Sequence, residues 1–205
     1  MNHLLRLRDP LAAYGEVSDY IDWDHPAVLA QAQELGCAEA AGWEYLTRAY
    51  HFVRDEIAHS WDAGIPTVTR KASEVLAAGT GICWAKANLL AALLRAGGIP
   101  AGVCYQRLTL EDTPSAGFCL HCLNAALLPG QDRWQRLDAR GNRADIHAEL
   151  RLDREQIAFP VRPWYQERDL PGVYARPAPG LMESLEGVTD ILAWSGQIPD
   201  TWGDD

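Results

Sequence analysis

Residues 79–108 read GTGICWAKANLLAALLRAGGIPAGVCYQRL, and this stretch decides the fold. Between Cys83 and Ala96 the charged residues are Lys86 and Arg95, nine positions apart and therefore on opposite sides of a helix. A helix that is apolar nearly all round is a buried one. The turn GGIP then ends the helix, and the strand-like segment AGVCYQRLTL follows. The stretch therefore predicts a central, buried helix followed by a core strand.

Two further strand-like segments follow in the sequence. They are FCLHCLNAALL at residues 118–128 and DRWQRLDAR at residues 132–140, and the turn residues PGQD separate them. Strand-like segments that a short run of turn residues separates are typical of antiparallel hairpins. We therefore predict an α+β fold in which a small antiparallel sheet packs on the helix that begins at Cys83.

The region before this stretch predicts helices. Apolar residues recur at helical spacing over residues 38–60, and a shorter helix is expected over residues 26–35. Ser73 is expected to cap a short helix that stops at Gly79, because glycine is the usual left-handed terminator of a helix.

The region after about residue 155 is dense in prolines, which predicts an arm that wraps the surface in extended form. A last helix is expected to carry Leu181, Leu185, Val188 and Leu192. At 205 residues the chain is expected to form one domain. Its expected parts are N-terminal helices over 20–60, a motif-bearing core over about 45–145, and the arm with its helix over 155–205.

Composition excludes several classes of protein. Hydrophobic residues at 48% and charged residues at 22% disfavour disordered, collagen-like and coiled-coil chains. The net charge is −10 and no block of basic residues offers a footprint for phosphates, so we expect no nucleic-acid partner. No apolar run approaches the roughly 20 residues of a membrane helix, and the N-terminal residues do not form a secretory signal. We therefore expect no membrane partner and a cytoplasmic location, whereas the sequence leaves the oligomeric state open.

The five cysteines are expected to be free thiols, because an odd number without an export signal makes a disulfide framework improbable. Cys83 differs from the others by its position at the start of a helix, where unpaired N–H groups and the helix dipole stabilise a thiolate. A packing cysteine at a helix start is the structural alternative.

A nucleophilic cysteine needs a base, and the base needs a third group that holds its tautomer. His121 lies mid-strand between apolar residues, where an imidazole is costly unless it is paired. Asp138 ends the next strand, so antiparallel pairing could bring it alongside His121. The alternatives are a core histidine that bonds the backbone and a carboxylate in a turn.

The order of these residues resembles the transglutaminase-like superfamily. The resemblance rests on G-x-C opening a core helix, on a mid-strand histidine in HCLN, and on an aspartate 17 positions later in WQRLDARGN. It implies a papain-like core in which Cys83 is the nucleophile, His121 the general base and acid, and Asp138 the orienting carboxylate. Members act through a thioester acyl-enzyme on peptide, protein or small-molecule amides.

Three further expectations complete the site. Trp61 and Trp84 could line the acyl site, since indole offers a flat apolar wall and an N–H donor, although core packing explains them equally well. The triad itself needs no metal or other cofactor, and a zinc site is disfavoured because Cys119 and Cys122 would point to opposite faces of a strand. The segment 107–118 is expected to be a flexible connection that edges the cleft, which favours hydrolysis over crosslinking.

The alternative to an enzyme is a catalytically inactive binding or scaffold domain with the same fold.

Overall fold

The computed structural model describes residues 5–40, 42–151 and 153–201. Its helices are α1 (Pro26–Glu34), α2 (Gly42–His51), α3 (Ser60–Ala63), α4 (Ala72–Ala78), α5 (Cys83–Ala96) and α6 (Pro179–Glu183). Its strands are β1 (Arg6–Leu7), β2 (Ala58–His59), β3 (Thr80–Gly81), β4 (Ala101–Glu111), β5 (Thr113–Leu127), β6 (Trp134–Leu137) and β7 (Arg168–Tyr174). Short 3-10 turns lie at Leu11–Gly15, Pro163–Tyr165 and Ser195–Gln197, and a π-helical turn lies at Phe52–Glu56.

The central helix α5 is buried, as its sequence predicts. Every residue from Cys83 to Arg95 is buried, including both cations. Arg95 donates to the carbonyls of Ala101 and Ala175, and Lys86 donates to the carbonyl of Ile57. Buried charged groups are tolerated when their hydrogen bonds are satisfied, so these two side chains tie the helix to its surroundings.

The main sheet has the strand order β1-β7-β4-β5-β6 within the described ranges, and β4, β5 and β6 are antiparallel neighbours. Helix α5 packs on it through Cys83 and Ala87, which join a core cluster with Leu120 and Cys122 of β5. The side-chain amide of Asn124 adds a hydrogen bond of 2.8 Å to the carbonyl of Ala87. The predicted α+β fold, a buried helix on an antiparallel sheet, is therefore confirmed.

A second, two-stranded parallel sheet lies beside the start of α5. Strand β2 pairs with β3, and His59 lies opposite Gly81. The hydroxyls of Ser60 and Thr80 are 3.1 Å apart, and Thr80 donates to the carbonyl of Ala58. This sheet fixes His59 next to the chain that leads into Cys83.

Two predicted helices begin or end elsewhere. The helix expected over residues 38–60 ends at Glu56, where the π-helical turn leads into β2. Ser73 is not the cap of α4: the N-cap is Lys71, and Ser73 bonds the carboxylate of Asp22 instead. The predicted end at Gly79 is confirmed by its left-handed φ of 64°.

The segment 107–118 is not a flexible connection, and that prediction is wrong. Strand β4 runs to Glu111, β5 begins at Thr113, and the two pair across this region with one irregularity between Thr109 and Glu111. The guanidinium of Arg107 lies 3.4 Å from the centre of the Phe118 ring, and this contact holds the two strands together. The region is a β-hairpin extension of the sheet.

The last part of the chain also differs from the prediction. Strand β7 lies inside the main sheet between β1 and β4, rather than along the surface. The predicted last helix is confined to Pro179–Glu183. Leu181 and Leu185 are buried, whereas Val188 and Leu192 are only partly so, and all four pack in the cluster that contains Cys83. The residues pack as an apolar stripe would, but turns connect them.

Candidate active site

Cys83 is the first residue of α5 and lies in a cavity wall. Its N-cap is Ile82, whose side chain makes no capping hydrogen bond. The backbone N–H of the first residue of a helix has no partner within the helix, so it is available to a ligand. The residue is 7% exposed, which leaves the sulfur buried but within reach of the cavity.

His121 and Asp138 form a buried pair. The imidazole Nε2 lies 2.9 Å from Asp138 Oδ2, and the two residues are 4% and 2% exposed. The Cys83 side chain lies close enough to the imidazole to raise the pKa of His121. Because Nε2 faces Asp138, Nδ1 is the nitrogen left for Cys83. The structure therefore brings the three residues together in the order Cys83, His121, Asp138.

Asp138 is held by backbone groups as well as by the imidazole. The N–H of Arg140 donates to Oδ1 at 3.1 Å, and the N–H of Ala158 donates to Oδ2 at 2.9 Å. Tyr50 donates its hydroxyl to the carbonyl of Asp138 at 3.0 Å. These contacts fix the carboxylate, which in turn fixes the orientation of the imidazole.

The charges in this pair oppose the effect of burial. Burial alone would lower the pKa of His121, but the charges of Asp138 and Cys83 and the hydrogen bonds to both raise it well above its ordinary value. Burial alone would raise the pKa of Asp138, but the charge and hydrogen bond of His121 and the two backbone N–H groups lower it. The pair is therefore arranged to hold an imidazolium against a carboxylate.

The cavity in front of Cys83 has a volume of about 560 Å³. The β4–β5 hairpin lines one side through Leu108 and Leu110, so the segment 107–118 does edge the cleft, although as sheet. Phe159 meets the His121 ring edge-on with centroids 5.0 Å apart. Charged side chains lie along the wall and rim; they are Glu111, Asp112, Arg140, Arg143, Asp145, Arg162 and Glu167.

Trp61 and Trp84 both line this cavity, but neither indole N–H is available to a ligand. Trp84 Nε1 donates to the carbonyl of Leu120 at 2.8 Å, and Trp61 Nε1 donates to the carbonyl of Ile191 at 3.0 Å. Trp84 is also only 1% exposed and belongs to the core. Each can act as an apolar wall, and the predicted role of the indoles as hydrogen-bond donors is wrong.

The sequence interpretation missed a second histidine in the same cavity. His59 is 6% exposed, lines the cavity with Cys83 and His121, and has its Nδ1 3.8 Å from Asp62 Oδ2. Asp62 itself pairs with the guanidinium groups of Arg140 and Arg143. Burial and the charge of Arg140 lower the pKa of His59 to about 3. The charge of Asp62 raises it by less than that of Arg140 lowers it.

Two other features of the site depend on packing between segments far apart in the sequence. The segment containing Ala158 and Phe159 covers the His121–Asp138 pair, although it lies some 20 residues after Asp138. Lys86, one turn after Cys83, is buried, which lowers its pKa to about 7. No sequence spacing indicates these contacts, because they join distant segments.

The cysteines do not form a metal site in the described part of the chain. All five lie there as free thiols, and no group of three His, Cys, Asp or Glu residues in these ranges could hold a metal ion. Cys122 packs in the core beneath α5, whereas Cys119 lines the cavity. The two thiols therefore lie on different sides of β5.

A family model described as the transglutaminase-like superfamily matches residues 29–139. This range is more than half of the chain and contains Cys83, His121 and Asp138. The chain belongs to the transglutaminase-like superfamily. The resemblance that the sequence indicates is thereby confirmed, and membership of the family supports cysteine-based chemistry in general.

Solved structures resemble this transglutaminase-like chain only in part. A candidate cysteine protease from Cytophaga hutchinsonii has a TM-score of 0.49 and 20% identity, over 63% of this chain and 42% of that one. A candidate protease from Parabacteroides distasonis has a TM-score of 0.39 and 18% identity, over 60% of this chain and 25% of that one. The chain thus spans less than half the length of either protein. No curated protein sequence matches it.

Over residues 5–40, 42–151 and 153–201, no helix has both the length and the apolar character that crossing a bilayer requires.

Proposed function

We propose that this chain is a cysteine-dependent enzyme that attacks an amide or activated ester carbonyl and passes through a thioester acyl-enzyme. Cys83 is the nucleophile, His121 the general acid and base, and Asp138 the carboxylate that orients His121. The observation that carries the proposal is the position of His121, which has Asp138 2.9 Å from one ring nitrogen and lines the same cavity as Cys83.

The reaction has two halves. The Cys83 thiolate adds to the carbonyl carbon and forms a C–S bond, and the C–N bond to the leaving amine breaks as His121 donates its proton to that amine. A water molecule then attacks the thioester, gives its proton to His121, and releases a carboxylic acid and the thiolate. The raised pKa of His121 suits this cycle, because the imidazolium persists until the leaving amine needs a proton.

A small substrate fits the cavity. Its volume of about 560 Å³ lies in the range of roughly 300–1,000 Å³ that is usual for small-molecule sites. The hairpin strands β4 and β5 bound one side of it, so an approach by two folded proteins at once is hindered. We therefore propose hydrolysis of a peptide-like or small amide, rather than crosslinking of proteins.

Alkylation of thiols tests whether the site is active. Iodoacetamide at neutral pH should label Cys83 far faster than the other four cysteines, because only Cys83 has both a helix N-terminus and an imidazolium beside it. Peptide mapping by mass spectrometry at several times gives the rate for each thiol. Uniform slow labelling would favour the inactive binding or scaffold domain instead.

The fate of the thioester tests the hydrolase assignment. An activated ester substrate is incubated with a primary amine titrated to millimolar concentration, and the acid and amide products are counted by mass spectrometry. We expect the acid to dominate. A dominant amide product at low amine concentration would replace hydrolysis by acyl transfer.

A further inference from the structure

The oxyanion that forms when Cys83 attacks a carbonyl needs two hydrogen-bond donors. The unpaired N–H of Cys83 at the start of α5 is one. The indole N–H groups of Trp61 and Trp84 are the obvious candidates for the second, but both are bound to backbone carbonyls. The other polar groups that line the cavity are therefore the candidates for the second donor.

We propose that His59 is this second donor, an assignment that rests on the function proposed above. His59 is more than nine-tenths buried, lines the same cavity as Cys83, and has a buried Nδ1 with no hydrogen-bond partner among the described residues. A buried ring nitrogen without a partner is costly, so its presence calls for an explanation.

The backbone places His59 beside the nucleophile. His59 pairs in parallel with Gly81, two residues before Cys83, and neighbouring strands lie about 4.8 Å apart. The hydrogen bonds of Ser60 and Thr80 lock this pairing. The imidazole also meets the Trp61 ring edge-on at 5.6 Å, and Trp61 is itself held by the carbonyl of Ile191. The ring is thus positioned before substrate arrives, as electrostatic stabilisation requires.

The groups around His59 determine whether its ring is neutral or charged. Groups that face the ring are the cations Arg140 and Lys86, the carboxylate of Asp62 and the imidazole of His121. Burial and Arg140 are the largest influences, and both keep the ring neutral. A neutral imidazole carries one N–H, and donation into the cavity requires that proton on Nε2. A neutral imidazole polarises a substrate carbonyl in other enzymes in the same way.

Two reactions of the same thiol separate an oxyanion donor from a structural residue. Alkylation by iodoacetamide needs the Cys83 thiolate but forms no oxyanion, whereas acylation by p-nitrophenyl acetate needs both. We expect His59→Leu to lower the acylation rate roughly 100-fold, in line with the loss of one oxyanion donor. The alkylation rate should stay at the wild-type value. Thermal stability should not fall, since an unpartnered buried nitrogen is removed.

Two amide variants give a matched comparison. Glutamine can place an N–H where Nε2 of histidine lies, whereas asparagine is too short and reaches only the position of Nδ1. His59→Gln should therefore acylate roughly ten times faster than His59→Asn, because it restores one donor at the required place. His147→Leu, the same change at an exposed histidine, should behave as wild type in both reactions.

Each contrary result has its own meaning. If His59→Leu acylates as fast as wild type, His59 is not the oxyanion donor, although the nucleophile assignment stands. An equal fall in acylation and alkylation would also overturn the inference, because His59 would then act on the thiolate. A wild-type Cys83 that reacts with iodoacetamide no faster than the other thiols would overturn the proposed function, and this inference with it.

Discussion

Two buried histidines share one cavity, and they are held in opposite states. His121 is 4% exposed and His59 is 6% exposed, so burial does not separate them. His121 has Asp138 at 2.9 Å, and its pKa is raised. His59 has Asp62 at 3.8 Å, and its pKa is lowered to about 3. The difference between the two pKa values depends on the nearest carboxylate and on the other groups that this carboxylate binds.

Asp138 and Asp62 differ in how much of their charge is left for the histidine. Asp138 accepts from backbone N–H groups and the imidazole, so its full charge acts on His121. Asp62 is engaged by Arg140 and Arg143, and at His59 burial and the charge of Arg140 outweigh the charge of Asp62. The charge state of a buried histidine therefore depends on how the neighbouring carboxylate is paired.

Substitution of His121, or of Cys83 beside it, should have the largest effect on turnover. Cys83→Ala and His121→Ala should each abolish measurable turnover of an activated ester, since the thiolate or its proton carrier is lost. Both proteins should fold, which circular dichroism and a thermal melt would check. Cys37→Ala is the matched control and should keep full activity. Turnover by Cys83→Ala at the wild-type rate would end the assignment of the nucleophile.

The same substitution at the two carboxylates should give very different rates. Asp138→Asn should lower kcat by roughly 10³- to 10⁴-fold, because an amide holds the imidazole in the wrong tautomer. Asp62→Asn should lower it less than tenfold, since Asp62 does not bond His59, although the loss of a partner for Arg140 should lower the melting temperature. Steady-state kinetics on folded protein measure both. Equal losses would show that the two histidines are not distinct in role.

The smallest expected effect is on the pH dependence of the free energy of unfolding, to which the two histidines should contribute slopes of opposite sign. His121 has a raised pKa in the folded protein, so its contribution to the free energy of unfolding is complete below about 6.5 and falls as the pH rises above it. His59 has a lowered pKa, so stability is lost as the pH falls from about 6.5 toward 3.

Each slope is at most about 1.4 kcal/mol per pH unit for one proton. Urea unfolding from pH 4 to 9 measures them, with variants that isolate each group. His59→Leu should flatten the acid side, and His121→Gln should flatten the alkaline side. If His59→Leu instead left the acid side unchanged, His59 would not be the buried neutral histidine that the geometry indicates.

Much of the site could be predicted because its signals are local. The near-absence of charge from Cys83 to Ala96 identifies a buried helix. Its first residue lies at the positive end of the helix dipole whatever packs around it. His121 between apolar neighbours, followed by Asp138 after one short turn, could be paired from strand geometry alone. The carboxylate and imidazole do meet, at 2.9 Å.

What the tertiary structure decided depends on contacts between segments far apart in the sequence. The indole N–H groups of Trp61 and Trp84 are used by the carbonyls of Ile191 and Leu120, which no spacing indicates. Ala158 donates to Asp138 because the last part of the chain folds back over the pair.

The sequence by itself determined the buried helix, the position of Cys83 at its start and the order of the three residues, since each depends on periodicity or on one turn. Only the tertiary structure placed His59 beside Gly81 and strand β7 inside the sheet. The physical reason is that a short strand pair or an inner strand becomes stable through long-range hydrogen bonds and burial. These contacts produce no periodic pattern in the sequence of the residues involved.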